Sequence, residues 1–306
     1  MKVTLLAGGT GAAKLAVGLD SELASGNLTV VTNTADDVDF WGLRVCPDTD
    51  AVLFRLAGIF NEEAGFGVAD DTFNLLAQMR RLGEPDWFWL GDRDLAFHVL
   101  RTHMLRRGAR LTDTAVELRR RLGVATRVLP MSDDEVRTCF ETESGRLGFQ
   151  EYFVRERLRP ALNGIEFEGL ATARPSPEAA EAVAAADLVV IGPSNPLISI
   201  APITALVGPL MDRARTLAVS PLVGGRALKG PTAEMMRTLR GEASARRVAE
   251  EYRPLAGRYV LDSLDAGGAP TIEALGYRVL VTDTVMDGAA AARRLAAAIL
   301  EFCDLR

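Results

Sequence analysis

The chain has 306 residues, 48% of them hydrophobic and 25% charged, a globular balance that excludes a disordered or fibrous protein. With 35 basic and 41 acidic residues the net charge is −6, so there is no basic excess to hold a nucleic-acid backbone. Three widely spaced cysteines without a C-x-x-C pair argue against a disulfide framework or thiolate metal site and point to a reducing compartment.

Residues 3–7 form an apolar run bounded by glycines, which predicts a strand buried on both faces. The apolar start is too short for a secretory leader, and no stretch of about 18 apolar residues occurs. A cytoplasmic protein without a membrane span is therefore expected. Residues 11–25 read as a helix, with Leu15, Leu19 and Leu23 on one face, and residues 28–32 as a second buried strand. Residues 71–81, 94–107 and 113–122 read as helices with charged outer faces. Few strand signals interrupt them, which predicts a helical insertion over about 62–160. Residues 132–140 are expected to be a short helix, capped by Ser132 with Glu135 completing a capping box. Ser176 and Pro177 open another helix. Strands are predicted at 188–191, 217–220 and 279–282, and a closing helix at 288–303. No repeat, low-complexity tract or linker appears. The alternation predicts one α/β domain over 1–306: a Rossmann-like, mostly parallel sheet with helices on both faces.

Four constellations carry chemistry. Gly8, Gly9, Thr10, Gly11 and Ala12 join the first strand to the first helix. Glycine permits a tight turn and close backbone approach, and a helix N-terminus offers free amides to a phosphate. The string is neither Walker A nor a complete G-x-G-x-x-G, and a glycine turn without a ligand is the alternative. Asn33, Thr34, Ala35, Asp36 and Asp37 follow the second strand, and Cys46, Pro47, Asp48, Thr49 and Asp50 come soon after. Carboxylates beside a phosphate loop repel the ligand unless a cation bridges them, as Mg²⁺ does. This favours a metal or base role over a solvated acidic loop.

Residues 86–98 set Trp87, Phe88 and Trp89 beside Gly91, Asp92, Arg93 and Asp94, with His98 one turn on. Aromatics there can stack a planar ring while the polar groups bond its edge. The alternative is packed tryptophans and a helix cap at Asp92 or Asp94. Ser194 and Asn195, between Pro193 and Pro196, offer donors to a phosphate or carboxylate, or form a rigid turn. The same holds for Gly224, Gly225 and Lys229. Asp283 and Asp287 read as helix caps. The spacing of His98 and His103 is wrong for two ligands on one helix face, and no nucleophile stands beside His98 in the sequence to build a hydrolytic triad.

These strings, with Gln150, Glu151, Tyr152, Phe153 and Val154, resemble the CofD/FbiA family, the 2-phospho-L-lactate transferases of coenzyme F-420 biosynthesis. The resemblance runs from residue 1 to about 283 and is most specific over 90–96. It implies a guanosine diphosphate ester of 2-phospholactate, or of the phosphoenolpyruvate equivalent, as donor. The ribityl hydroxyl of the deazaflavin Fo is the implied acceptor, GMP the leaving group and Mg²⁺ the cofactor. It further implies a Rossmann-like core and, by family habit, a homodimer. On that basis the diphosphate is assigned to residues 8–12 and Asn33, and Mg²⁺ and catalysis to Asp36, Asp37 and Asp50. Asp50, Trp87, Asp92, Arg93 and His98 are assigned to Fo, and Ser194, Asn195 and Lys229 to the phosphoacid, phosphate or guanine. Two rivals stand beside this reading. One is a nucleotide-sugar-binding regulator of the YvcK-like group, expected to lack the 86–98 block. The other is a nicotinamide oxidoreductase, disfavoured by the incomplete glycine fingerprint and the clustered acids.

Overall fold

The computed structural model describes residues 1–305. The N-terminal unit is β1 (Val3–Ala7), α1 (Thr10–Glu22) and β2 (Leu28–Thr32). A hairpin of β3 (Val38–Phe40) and β4 (Leu43–Val45) leads to α2 (Pro47–Leu56), then α3 (Asn74–Arg81), α4 (Asp92–Arg106) and α5 (Leu111–Arg121). β5 (Arg127–Pro130), β6 (Arg137–Thr142), β7 (Gly145–Gly148) and β8 (Leu162–Glu168) follow. The second half runs α6 (Pro177–Ala184), β9 (Leu188–Ile191), α7 (Ala201–Val207), β10 (Thr216–Val219), β11 (Leu222–Val223) and β12 (Arg226–Ala227). It closes with α8 (Thr232–Arg240), α9 (Ala245–Tyr252), β13 (Arg258–Asp262), α10 (Ala269–Glu273), β14 (Arg278–Thr282) and α11 (Ala289–Phe302).

The main sheet has seven strands in the order β14-β13-β10-β9-β1-β2-β5, every pair parallel. Every residue of β1, β2, β9 and β10 is buried, which is why these strands read as continuous apolar runs. Successive side chains go to opposite faces. Leu5 and Val30 pack with Leu15, Leu19, Phe54 and Ile299 on one side. Leu6 and Val31 pack with Ile203, Met236, Val248 and Tyr259 on the other. The sheet grows from β1 toward β5 in one direction and from β9 toward β14 in the other. The carboxyl ends of β1 and β9 therefore form the switch point where such sheets bind ligands.

Two expectations are corrected. Residues 132–140 do not form a helix: residues 137–142 are β6, paired antiparallel with both β7 and β8. Ser132 closes a turn on the Asp134 amide instead of capping, and Glu135 pairs with Arg137 and Arg44. β-branched and aromatic residues at Thr138, Phe140 and Thr142 suit that pleated, half-buried surface. The stretch 62–160 is helical only in part. After α5 the chain returns to the core as β5, the edge partner of β2.

Candidate active site

The loop after β1 enters α1 with Gly9 at φ 77°, a left-handed conformation that favours glycine. Gly8 and Gly11 are glycines for another reason. A Cβ on Gly8 would lie 2.6 Å from the Ser199 Cβ, and one on Gly11 would lie 2.2 Å from the Pro193 carbonyl oxygen. The loop is thus pressed against the turn that follows β9, leaving Gly9 as the roomier glycine, where a Cβ would meet only the Ser199 hydroxyl at 3.9 Å. A cavity of about 460 Å³ opens there, bounded by residues 8–11, Lys14, Ser194, Asn195 and Lys229. Ser194 is buried and its hydroxyl has no partner within the chain. Asn195 accepts from the Leu197 amide at 2.9 Å and caps the following π-helical turn, so its role is partly structural. Lys14 reaches the Met286 carbonyl at 2.7 Å, and burial lowers its pKa.

Asn33 organises the acids at this site. Its amide donates to Asp36 at 2.9 Å and to Asp48 at 3.1 Å. The other Asp48 oxygen accepts from the Gly9 amide at 2.6 Å. Burial, then the Asp48 charge, pushes the Asp36 carboxyl well above its usual range; burial lifts Asp48 to about 6. Two carboxylates on one amide beside a phosphate-type loop suit a divalent cation, since Mg²⁺ is held by one or two carboxylates plus phosphate oxygens. The expected trio of Asp36, Asp37 and Asp50 does not converge. Among the described residues, no three His, Cys, Asp or Glu side chains are arranged so that they could hold a metal ion. Asp37 lines neither this cavity nor the second one, and burial lifts it to about 8 against the pull of Arg44 and Arg101.

Asp50 faces elsewhere because residues 47–56 are a helix, not a loop. Pro47 occupies its first position, and the Thr49 hydroxyl meets the Thr32 hydroxyl at the end of β2 at 2.7 Å. Two residues along a helix turn about 200°, so Asp48 and Asp50 diverge. Asp50 reaches a second cavity of about 470 Å³, walled by Phe54, Phe60, Phe66, Trp87 and Trp89. Arg101 clamps one Asp50 oxygen, and His98 Nδ1 stands 3.7 Å from the other. Trp87 is both packed, edge-on to Phe40 at 5.3 Å, and part of the cavity wall. The two cavities share Gly9, Thr10, Pro47 and Asp48.

Asp92 and Arg93 line neither cavity. Asp92 closes the start of α3, accepting from the Asn74 and Leu75 amides at 3.0 and 2.9 Å and from the Thr72 hydroxyl. Those bonds hold its carboxyl down at about 2. Asp71 returns the service to α4, accepting from the Arg93 and Asp94 amides at 2.7 and 2.9 Å. Gly91 is glycine because a Cβ would lie 2.2 Å from an Asp71 oxygen. Arg93 itself is exposed and donates to the Ala69 carbonyl. Reasoning from sequence missed Asp48 as the bridge between the cavities, and it missed Arg101, which no local motif marks. The proline–acid start of α2 was the available signal for Asp48.

A parallel α/β sheet with two adjoining cavities at its switch point is the architecture in which such proteins bind small ligands. Residues 3–265 match the family model described as 2-phospho-L-lactate transferase CofD, and the chain belongs to that family, a family of transferases. The 2-phospho-L-lactate transferase of Methanosarcina mazei is 36% identical over 97% of this chain and 99% of its own length. That of Methanothermobacter thermautotrophicus is 39% identical over 93% and 92%. The phosphoenolpyruvate transferase of Streptomyces griseus is 37% identical over 99% of both chains. A UPF0052-family structure from Bacillus halodurans superposes with TM-score 0.62 over 98% of each chain at 17% identity, which shows the shared fold. Among the described residues no helix is long and apolar enough to cross a membrane.

Proposed function

We propose that this enzyme transfers a 2-phospholactyl or enolpyruvyl phosphate group from a guanosine diphosphate ester to the ribityl hydroxyl of the deazaflavin Fo, releasing GMP, in coenzyme F-420 biosynthesis. The observation that carries the reading is the pair of cavities sharing Gly9, Thr10, Pro47 and Asp48. One is lined by backbone amides, hydroxyls and lysines suited to a nucleotide diphosphate. The other is lined by aromatic rings suited to a planar tricycle.

In this reading the Fo hydroxyl oxygen attacks the phosphorus that carries the phosphoacid. The bridging P–O bond breaks and GMP departs with its electron pair. Such chemistry needs in-line placement and charge neutralisation more than covalent catalysis. The amides at the start of α1, the free Ser194 hydroxyl and Lys229 hold the diphosphate, while Trp87 and Trp89 orient the ring. Asp36 and Asp48 would hold a Mg²⁺, which supplies neutralisation of phosphate charge when bound. Asp48, at the junction, is placed to receive the hydroxyl proton. A cytosolic homodimer is the setting we assign.

The test is incubation with Fo, Mg²⁺ and the guanosine diphosphate ester of each phosphoacid in turn, read by mass spectrometry. The phosphodiester product and GMP are expected with at least one donor. Relatives named for both phosphoacids stand at 36% and 37% identity, so both are included. Unchanged Fo together with tight donor binding would instead favour the regulatory reading.

A further inference from the structure

The aromatic cavity carries a buried polar chain that ring binding does not require. Asp50, Asp94 and His98 all line it and are 3%, 6% and 1% exposed. Arg101 holds one Asp50 oxygen and also contacts His98 Nδ1 at 3.2 Å. A guanidinium only donates, so Nδ1 accepts and the neutral imidazole carries its proton on Nε2. That nitrogen faces Asp94 Oδ1 at 3.4 Å, beyond a close hydrogen bond. The result is two carboxylate oxygens, Asp50 Oδ2 and Asp94 Oδ1, on either side of one imidazole; both oxygens and the imidazole Nε2 are buried without a hydrogen-bond partner. Buried acceptors left unpaired are costly, and only a ligand that brings donors relieves them.

We propose that Asp94, beside His98, works with Asp50 as a carboxylate clamp that admits an uncharged polyhydroxy tail and turns away a phosphorylated one. This rests on the cavity holding the Fo acceptor. Hydroxyls satisfy both oxygens, whereas a phosphate brings like charge and few protons to them. Arg101 neutralises Asp50, so Asp94 supplies the uncompensated charge. Arg157 is the cation on the same cavity wall that would pull the other way. The clamp makes the enzyme act on the acceptor before, and not after, its terminal hydroxyl is phosphorylated. A kinase acting first would therefore divert the acceptor.

The experiment is a titration of the full-length protein with Fo and with Fo 5′-phosphate, followed by quenching of tryptophan fluorescence. Wild-type protein is expected to bind Fo at least about tenfold more tightly than its phosphate. Asp94→Asn should shrink that ratio by about threefold or more, and Asp94→Glu should keep it. Equal affinities, a preference for the phosphate, or a ratio untouched by Asp94→Asn overturns the clamp while leaving the proposed transfer standing. If Fo itself fails to bind, the proposed acceptor falls and the clamp with it. Should Asp94→Asn not fold, the wild-type ratio alone decides.

Discussion

The two cavities are built from different material. The one beside α1 uses backbone amides, a glycine turn and short polar side chains at the ends of β1, β2 and β9. The one beside α4 uses large side chains from α2, the 60–67 loop, the 87–90 segment, α4 and residues 150–157, brought together over long sequence distances. A site made of backbone at a strand end is positioned by the sheet itself. A site made of side chains from several distant segments depends on a buried framework, here Arg101 and its partners. Damage to that framework should therefore reach stability, whereas damage at the sheet end should reach chemistry.

The sharpest way to break this contrast is Arg101→Met. It leaves the Asp50 carboxylate buried without its counter-ion and is expected to cost about 3–5 kcal/mol of stability, read by denaturant unfolding. A loss below about 1 kcal/mol would make the framework dispensable. Asp48→Asn is the counterpart at the sheet end. It should leave the unfolding midpoint nearly unchanged yet slow product formation by about 10²- to 10³-fold. Trp87→Ala should weaken Fo binding by about tenfold while GDP binding holds. Equal losses of both ligands would mean that the wall serves packing for the whole site.

The smallest effect is on pH. Asp37 at about 8 and Asp48 at about 6 both lie above the unfolded aspartate range. Between those limits the folded chain holds more protons than the unfolded one, so stability falls as pH rises through the window. Without metal, the melting temperature should drop by a few degrees, about 3 °C or more, from about pH 5 to about pH 8. Added Mg²⁺ should reduce the part due to Asp48. A melting temperature that rises over that range would show that these carboxyls ionise freely.

The sheet was legible in the sequence because strands buried on both faces are predominantly apolar, as in residues 3–7, 28–32 and 188–191, where only threonines interrupt the run. The glycine loop and Ser176 cap were legible for equally local reasons. β13 escaped notice. β6 was mistaken for a helix because Ser132 and Glu135 mimic a capping box whose partners lie elsewhere. At the site, the acids were found but sorted wrongly. Asp48 and Asp50 read as one cluster until α2 turns them apart, and Asp92 reads as a ligand until the Asn74 and Leu75 amides are seen to claim it. Arg101 could not be found locally, since its partner Asp50 lies far away in sequence.

The acids at the two helix starts are exchanged: Asp92 of α4 serves α3, and Asp71, just before α3, serves α4. Neither helix can fray alone, because opening one start strips the acceptor from the amides of the other. Amide protons at residues 74, 75, 93 and 94 should thus leave into heavy water at one common rate, as a latch with two tongues releases together.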